Sequence, residues 1–202
     1  MPLLRICNKT VNFQNTCTLL GVTFDSHLTW SYHIQNICNR AKSALNLMRC
    51  ICGQRWGTNK RTLLLVYRAL IRSLLDYGCI AFYSASDSNL KLLDALQYKA
   101  LLLITGALRG TPLSSLLAEC GEKNLKARRN EMILQYLIKL DASYDNPAKD
   151  ILLDINYPHL TNKLKSKYLP IIKEFYQINN LSIDWSKLRV PCSTAIVSAD
   201  LS

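Results

Sequence analysis

Acidic residues are scarce in this chain and unevenly placed. Fourteen Asp and Glu stand against 25 Lys and Arg across 202 residues, giving a net charge of +11. Between Asp25 and Asp76 there is no acid at all. No two aspartates are adjacent, so the sequence lacks the plainest sign of a two-metal centre, where clustered carboxylates hold two ions about 4 Å apart. The spaced pairs Glu119/Glu122, Asp141/Asp145 and Asp150/Asp154 read as charges on helix surfaces. Phosphate-cradling glycine loops, the dinucleotide fingerprint and the Gly-x-Ser-x-Gly elbow are also missing.

Eight cysteines include no Cys-x-x-Cys pair, and Cys50-x-Cys52 would face two sides of a helix. His27, His33 and His159 complete no ligand set. The expectation is reduced, mostly buried thiols and no metal or cofactor held by this chain. A Cys–His nucleophile pair would have to meet in space, and nothing local supports one. His33 sits where it can pack or cap. The first twenty residues show no apolar signal-peptide core. The most apolar stretch, residues 62–82, carries Arg68, Arg72 and Asp76, which argues against a membrane span. These absences describe an intracellular protein of the nucleus or cytoplasm, neither secreted nor membrane-bound.

Glycine is also sparse, at seven residues, while apolar residues make up 49%. Long stretches without Gly or Pro predict a mainly α fold. Residues 1–25 are the exception, and CTLLGVTFD reads as short strands with a bend at Gly21. From Trp30 to Cys52 the apolar residues recur at three and four, which predicts a helix. Thr58 or Asn59 can cap a second helix reaching Tyr77 and stopped by Gly78. A third is expected over Ser88–Ile104, with Gly106 after it. Thr111-Pro112 reads as a cap followed by proline at the first helical position of a short fourth helix. Asn124 can cap a fifth through Ala142. Asn146-Pro147 marks a boundary, and a smaller helical region follows to 189, then a loose tail over 190–202.

The acid-free window holds Arg40, Lys42, Arg49, Arg55, Lys60, Arg61, Arg68 and Arg72. An even spread would place about three or four of the fourteen acids there. A two-helix surface with an unopposed positive field suits phosphate binding, salt-sensitive and indifferent to sequence. Arg61, Arg68 and Arg72 fall on one helical stripe. Trp56 and Tyr67 could stack on bases or serve as core aromatics. A solvated basic face without a partner is the other reading.

The ordered run Leu20-Gly21-Val22, Asp25, Leu28-x-Trp30-x-x-His33-Ile34 resembles the segment just after the catalytic palm in reverse transcriptases of jockey-like, non-long-terminal-repeat retrotransposons. The likeness continues through Trp56-Gly57, Tyr67, Tyr77-Gly78, Gln97-x-Lys99-Ala100-Leu101, Ile104-Thr105-Gly106-Ala107, Thr111-Pro112, Arg128-Arg129 and Asn156-Tyr157-Pro158-His159-Leu160. It covers roughly residues 15–165. The resemblance implies an edge of the palm with primer-grip-like strands over 1–28, a helical thumb-like bundle over 29–145 and a connection region over 146–189. It implies a partner, an RNA/DNA duplex or hybrid, contacted by Lys42, Arg49, Arg55, Lys60, Arg61, Arg68 and Arg72. It also implies missing partners, the palm and fingers, with the catalytic Tyr-x-Asp-Asp and its divalent metal, so that Met1 would open a truncated element. Leu102 and Phe82-Tyr83 stand where relatives often have Arg and Trp. A second reading stays open: a non-enzymatic helical module that binds another protein.

Overall fold

A computed structural model describes residues 5–6, 9–10, 14–52, 58–143, 146, 171, 174, 175 and 177. Arg55, Trp56 and most of the expected connection region and tail lie outside the described residues. The described chain is mainly helical, with antiparallel strand pairs at its N-terminal end.

The first strands, β1 (Arg5–Ile6) and β2 (Lys9–Thr10), form a minimal antiparallel pair. β3 (Thr16–Leu19) and β4 (Val22–Asp25) form a longer hairpin in which Leu19 pairs with Val22 and Thr16 with Asp25. Only Leu20 and Gly21 separate them, and both have positive φ, 48° and 77°. Two consecutive left-handed residues match the right-handed twist of the strands, which is why this tight turn can close the hairpin. Gly21 takes that conformation freely, whereas Leu20 does so under strain.

Helix α1 (Ser31–Ile51) follows the predicted spacing. Ile34, Ile37, Ala41, Leu45 and Met48 are buried along one side. Asn59 caps the next helix, its side chain accepting the Thr62 N–H at 2.9 Å. That helix runs from α2 (Lys60–Val66) through a π-helical turn (Tyr67–Arg72) into α3 (Ser73–Asp76). Right-handed helical dihedrals at Val66, Tyr67, Arg72 and Ser73 make it continuous. Simple periodicity does not anticipate the widened turn. Its first residue, Tyr67, is wholly buried and accepts a hydrogen bond from Gln97 Nε2 at 3.3 Å. Tyr67 is therefore a core aromatic and is not available to stack on a base.

Gly78 (φ 68°) turns the chain into a 3-10 segment, Ala81–Ser84. Helix α4 (Asp87–Thr105) is capped by Ser86 and stopped by left-handed Gly106, within a residue of the predicted bounds. Helix α5 (Leu113–Cys120) corrects one expectation. Pro112 occupies the cap position with extended ψ of 140°, one residue before the helix, and makes no side-chain cap. The Thr111 hydroxyl donates to the Leu108 carbonyl at 2.8 Å, so it stabilises the preceding loop. Helix α6 (Leu125–Ala142) is capped by Asn124 as predicted.

The core sits where α1 packs on α4 and on the π-containing helix. Ile34, Met48, Tyr67, Phe82, Leu93, Ala100, Leu101 and Leu116 have no exposed surface. A smaller cluster joins Ile133 and Leu137 of α6 to Ile171 and Phe175. Burying apolar side chains of this size contributes about 1.5–3 kcal/mol each before the entropy of ordering them. No described helix is long and apolar enough to cross a membrane. Of the six described cysteines, Cys38, Cys79 and Cys120 are buried and Cys17 and Cys50 exposed, all as free thiols.

Candidate nucleic-acid interface

The corner between β4 and α1 positions everything that follows. Asp25 is buried, and its carboxylate accepts hydrogen bonds from the Thr29 N–H, the Thr29 hydroxyl and the Trp30 N–H, each at 2.8 Å. Burial pushes the Asp25 carboxyl up, but the bonds from Thr29 and Trp30 outweigh it and hold the group below its ordinary value. Those bonds secure Leu28 (φ 49°) and Trp30 (φ 65°) in left-handed conformations that side chains other than glycine rarely take. The Trp30 indole N–H donates to Ser84 Oγ at 2.8 Å, and its ring meets Phe24 at 5.2 Å. His33 is packed, as one of the two expectations had it. Its Nδ1 accepts the Thr23 N–H at 3.3 Å and its ring tilts against Phe82. Burial lowers its pKa and so favours the neutral ring. Asp25, Trp30 and His33 thus form a structural joint that clamps the hairpin to α1.

The candidate phosphate contacts divide into two groups. Lys42 and Arg49 are exposed on α1, seven residues apart and so on one face. Arg49 Nη1 donates to Asn46 Oδ1 at 2.8 Å, a neutral partner. Arg61 is exposed at the start of α2. No described carboxylate pairs with these three.

The second group is opposed by acids that the sequence window excluded. Lys60 Nζ meets Glu119 Oε1 at 2.9 Å. Arg68 Nε and Arg72 Nη1 both bind Glu122, at 2.7 and 3.0 Å. Arg72 also lies 3.9 Å from Asp76, which is held by Arg128 at 2.7 Å. The expectation of an unopposed field over residues 26–75 therefore needs correction. Folding brings Glu119 and Glu122 from beyond the window onto its second helix, which Asp76 itself ends. The Glu122 side chain is only 3% exposed while Arg68 is 41% exposed, so the arginine guanidinium keeps a face in solvent. Arg68 and Arg72 both lie within the π-helical turn, whereas Arg61 lies in α2 before it.

Sequence reasoning missed a further basic surface. Lys99 on α4 and Arg109 in the loop after it line a groove with Arg49, next to Tyr98. The signal was present in the cations themselves, but Arg49 lies fifty and sixty residues before Lys99 and Arg109 in the chain. Among the described residues no group of three or more His, Cys, Asp or Glu side chains is placed to hold a metal ion.

Comparison with known proteins agrees with the resemblance seen in the motifs. The chain is 30% identical over 92 residues, 46% of its length, to the probable RNA-directed DNA polymerase of transposon X-element from Drosophila melanogaster. It is 26% identical over 106 residues, 52% of its length, to the RNA-directed DNA polymerase of mobile element jockey from the same organism. A retrovirus-related Pol polyprotein from a type-1 retrotransposable element R1 of Nasonia vitripennis is 23% identical over 103 residues, 51% of the chain. The matched regions are 10%, 12% and 26% of those three proteins, respectively. The chain is thus similar, over about half its length, to RNA-directed DNA polymerases of non-long-terminal-repeat retrotransposons. No protein-family model matches it, and no solved structure matches it.

Proposed function

We propose that this chain is the thumb-side part of a retrotransposon reverse transcriptase and holds template–primer nucleic acid without regard to sequence. One observation carries the reading: Lys42, Arg49 and Arg61 project from the first two helices, and among the described residues no carboxylate pairs with them. Cations left free in this way neutralise phosphates and release counterions. Arg55 belongs to the same proposed contact set. Lys60, Arg68 and Arg72 take part through whatever hydrogen-bonding capacity their carboxylates leave. The chain supplies no catalysis of its own in this reading. The chemistry, and the divalent metal it needs, belongs to the palm of the intact polymerase. The β3–β4 hairpin then lies at the palm edge.

The test is the affinity for an RNA–DNA hybrid duplex measured across a salt series. Replacing Lys42 and Arg61 with Gln removes two contacts and flattens the slope of log K against log salt by about 1.8, at about 0.9 per phosphate. A wild-type slope near zero rules the reading out.

The competing reading, a protein-interaction module, has its own supporting observation. Leu19, Leu20, Leu28, Tyr32 and Tyr77 are 50–82% exposed, and all but Tyr77 come from the hairpin, the corner after it or the first turn of α1. Tyr77 joins this surface by donating its hydroxyl to the Leu20 carbonyl at 2.6 Å. In the polymerase reading the same apolar surface meets the palm. Binding to a partner protein with no measurable hybrid binding would favour the module.

A further inference from the structure

The groove behind α1 has a chemistry that duplex backbone binding does not use. It has a volume of about 700 Å³, within the range that accepts a small ligand. Its rim carries Arg49, Lys99 and Arg109, all exposed, and no carboxylate lines it. Its floor is apolar, made by Leu102, Leu103 and Ala107. Two helix C-termini lie close by, those of α1 and α4, each worth about half a negative charge. Three full cations exceed that by about two charges, so dipole compensation does not account for them.

The loop that presents Arg109 is built rather than loose. The Gly106 N–H donates to the Leu102 carbonyl, the Ala107 N–H to Thr105 Oγ1 and the Thr111 N–H to the Leu108 carbonyl. The Gly110 N–H donates to the Tyr98 hydroxyl at 3.2 Å, which pins the tyrosine ring against the loop. Gly110 has φ 97° and open space where a side chain would be, so the groove stays clear above it. Leu108 beside it is 85% exposed.

We propose that this groove holds an unpaired nucleotide of a single-stranded segment. The phosphates lie on Arg49, Lys99 and Arg109, and the base lies against Tyr98 and the leucine floor. A paired duplex offers phosphates but hides the faces of its bases, so it leaves the apolar floor unused. A single strand offers both, and apolar or aromatic platforms flanked by cations are the general means of holding one. This rests on the nucleic-acid reading above and shares Arg49 with it, but Lys99, Arg109 and Tyr98 are outside that contact set.

The experiment uses the 202-residue chain and two labelled probes, a single-stranded RNA of about eight nucleotides and a blunt RNA–DNA hybrid. Wild type binds the single strand. Lys99→Ala/Arg109→Ala weakens that binding and flattens its salt slope by about 1.4, at about 0.7 per single-strand phosphate. Hybrid affinity moves much less in the same variant. Tyr98→Leu weakens single-strand binding while leaving the salt slope unchanged, because stacking is uncharged. Circular dichroism confirms that each variant is folded. Single-strand affinity that is unchanged in the double variant overturns the proposal. So does displacement of the RNA by polyglutamate as readily as by unlabelled RNA, which would mark the groove as a site for acidic peptide. Hybrid binding without single-strand binding removes this proposal alone. Single-strand binding without hybrid binding upholds it and removes the duplex reading alone.

Discussion

Replacing Asp25 with Ala takes away the three hydrogen bonds that the carboxylate accepts, two from backbone N–H groups. Hydrogen bonds to a charged acceptor are worth about 1.5–3 kcal/mol each, and the buried Trp30 N–H is left with no acceptor in its place. The bonds share one acceptor and do not add in full, so the loss is about 3 kcal/mol rather than the sum. For a chain of this size that lowers Tm by about 6–12 °C. Asp25→Asn keeps the shape and one acceptor oxygen but not the charge, and costs about half as much, since neutral bonds are roughly half as strong. The assay is urea or thermal unfolding across pH. Folding lowers the pKa of Asp25, so the ionised carboxylate stabilises the fold above its unfolded value of about 3.9. That stabilisation fades as pH falls through the lower folded value, where the carboxyl becomes neutral like the amide. The gap between wild type and Asp25→Asn is therefore full near neutrality and closes in acid. A gap that persists undiminished at about pH 2 would refute the reasoning, as would an Asp25→Ala protein within about 0.5 kcal/mol of wild type, the range of a plain surface change.

Gly78 and Gly106 share the same left-handed φ, near 68°, but a methyl group on Gly78 would lie 3.0 Å from Val22 Cγ2 while one on Gly106 meets nothing. Both Ala variants lose about 1–2 kcal/mol to backbone strain, and Gly78→Ala loses more, as read from urea midpoints. Equal losses would contradict the close approach of Gly78 to the hairpin. Glu122→Gln uncovers Arg68 and Arg72 by removing the buried charge they share. If both arginines then reach phosphates, the hybrid-binding salt slope steepens by up to about 1.8, while the melting temperature falls. An unchanged slope would assign the two arginines to the fold alone.

Much of the fold was legible residue by residue. Asn59, Ser86 and Asn124 announce helix starts because their side chains take up N–H groups that no helix can satisfy internally. Gly106 and Gly121 announce stops because each takes a left-handed conformation there. The Leu20-Gly21 turn and the Asp25 corner were visible as a switch from strand to helix spacing. The candidate interface was legible only in part. Lys42, Arg49 and Arg61 are as exposed as the window of cations suggested. The pairing of Lys60, Arg68 and Arg72 was hidden, since Glu119 and Glu122 lie fifty and more residues further along.

By itself the sequence determined the mainly helical class, most of the described helix ends and the likeness to retrotransposon polymerases. These depend on interactions that span a few residues, or on ordered motifs that can be read in line. Tertiary structure alone decided which described cations a described carboxylate pairs with, that Tyr67 belongs to the core and that Arg49, Lys99 and Arg109 share a groove. The reason is physical. A hydrogen-bonded cap closes over three or four residues, whereas a charge is neutralised by whichever carboxylate the packing of α1, α4 and the π-containing helix brings within about 4 Å.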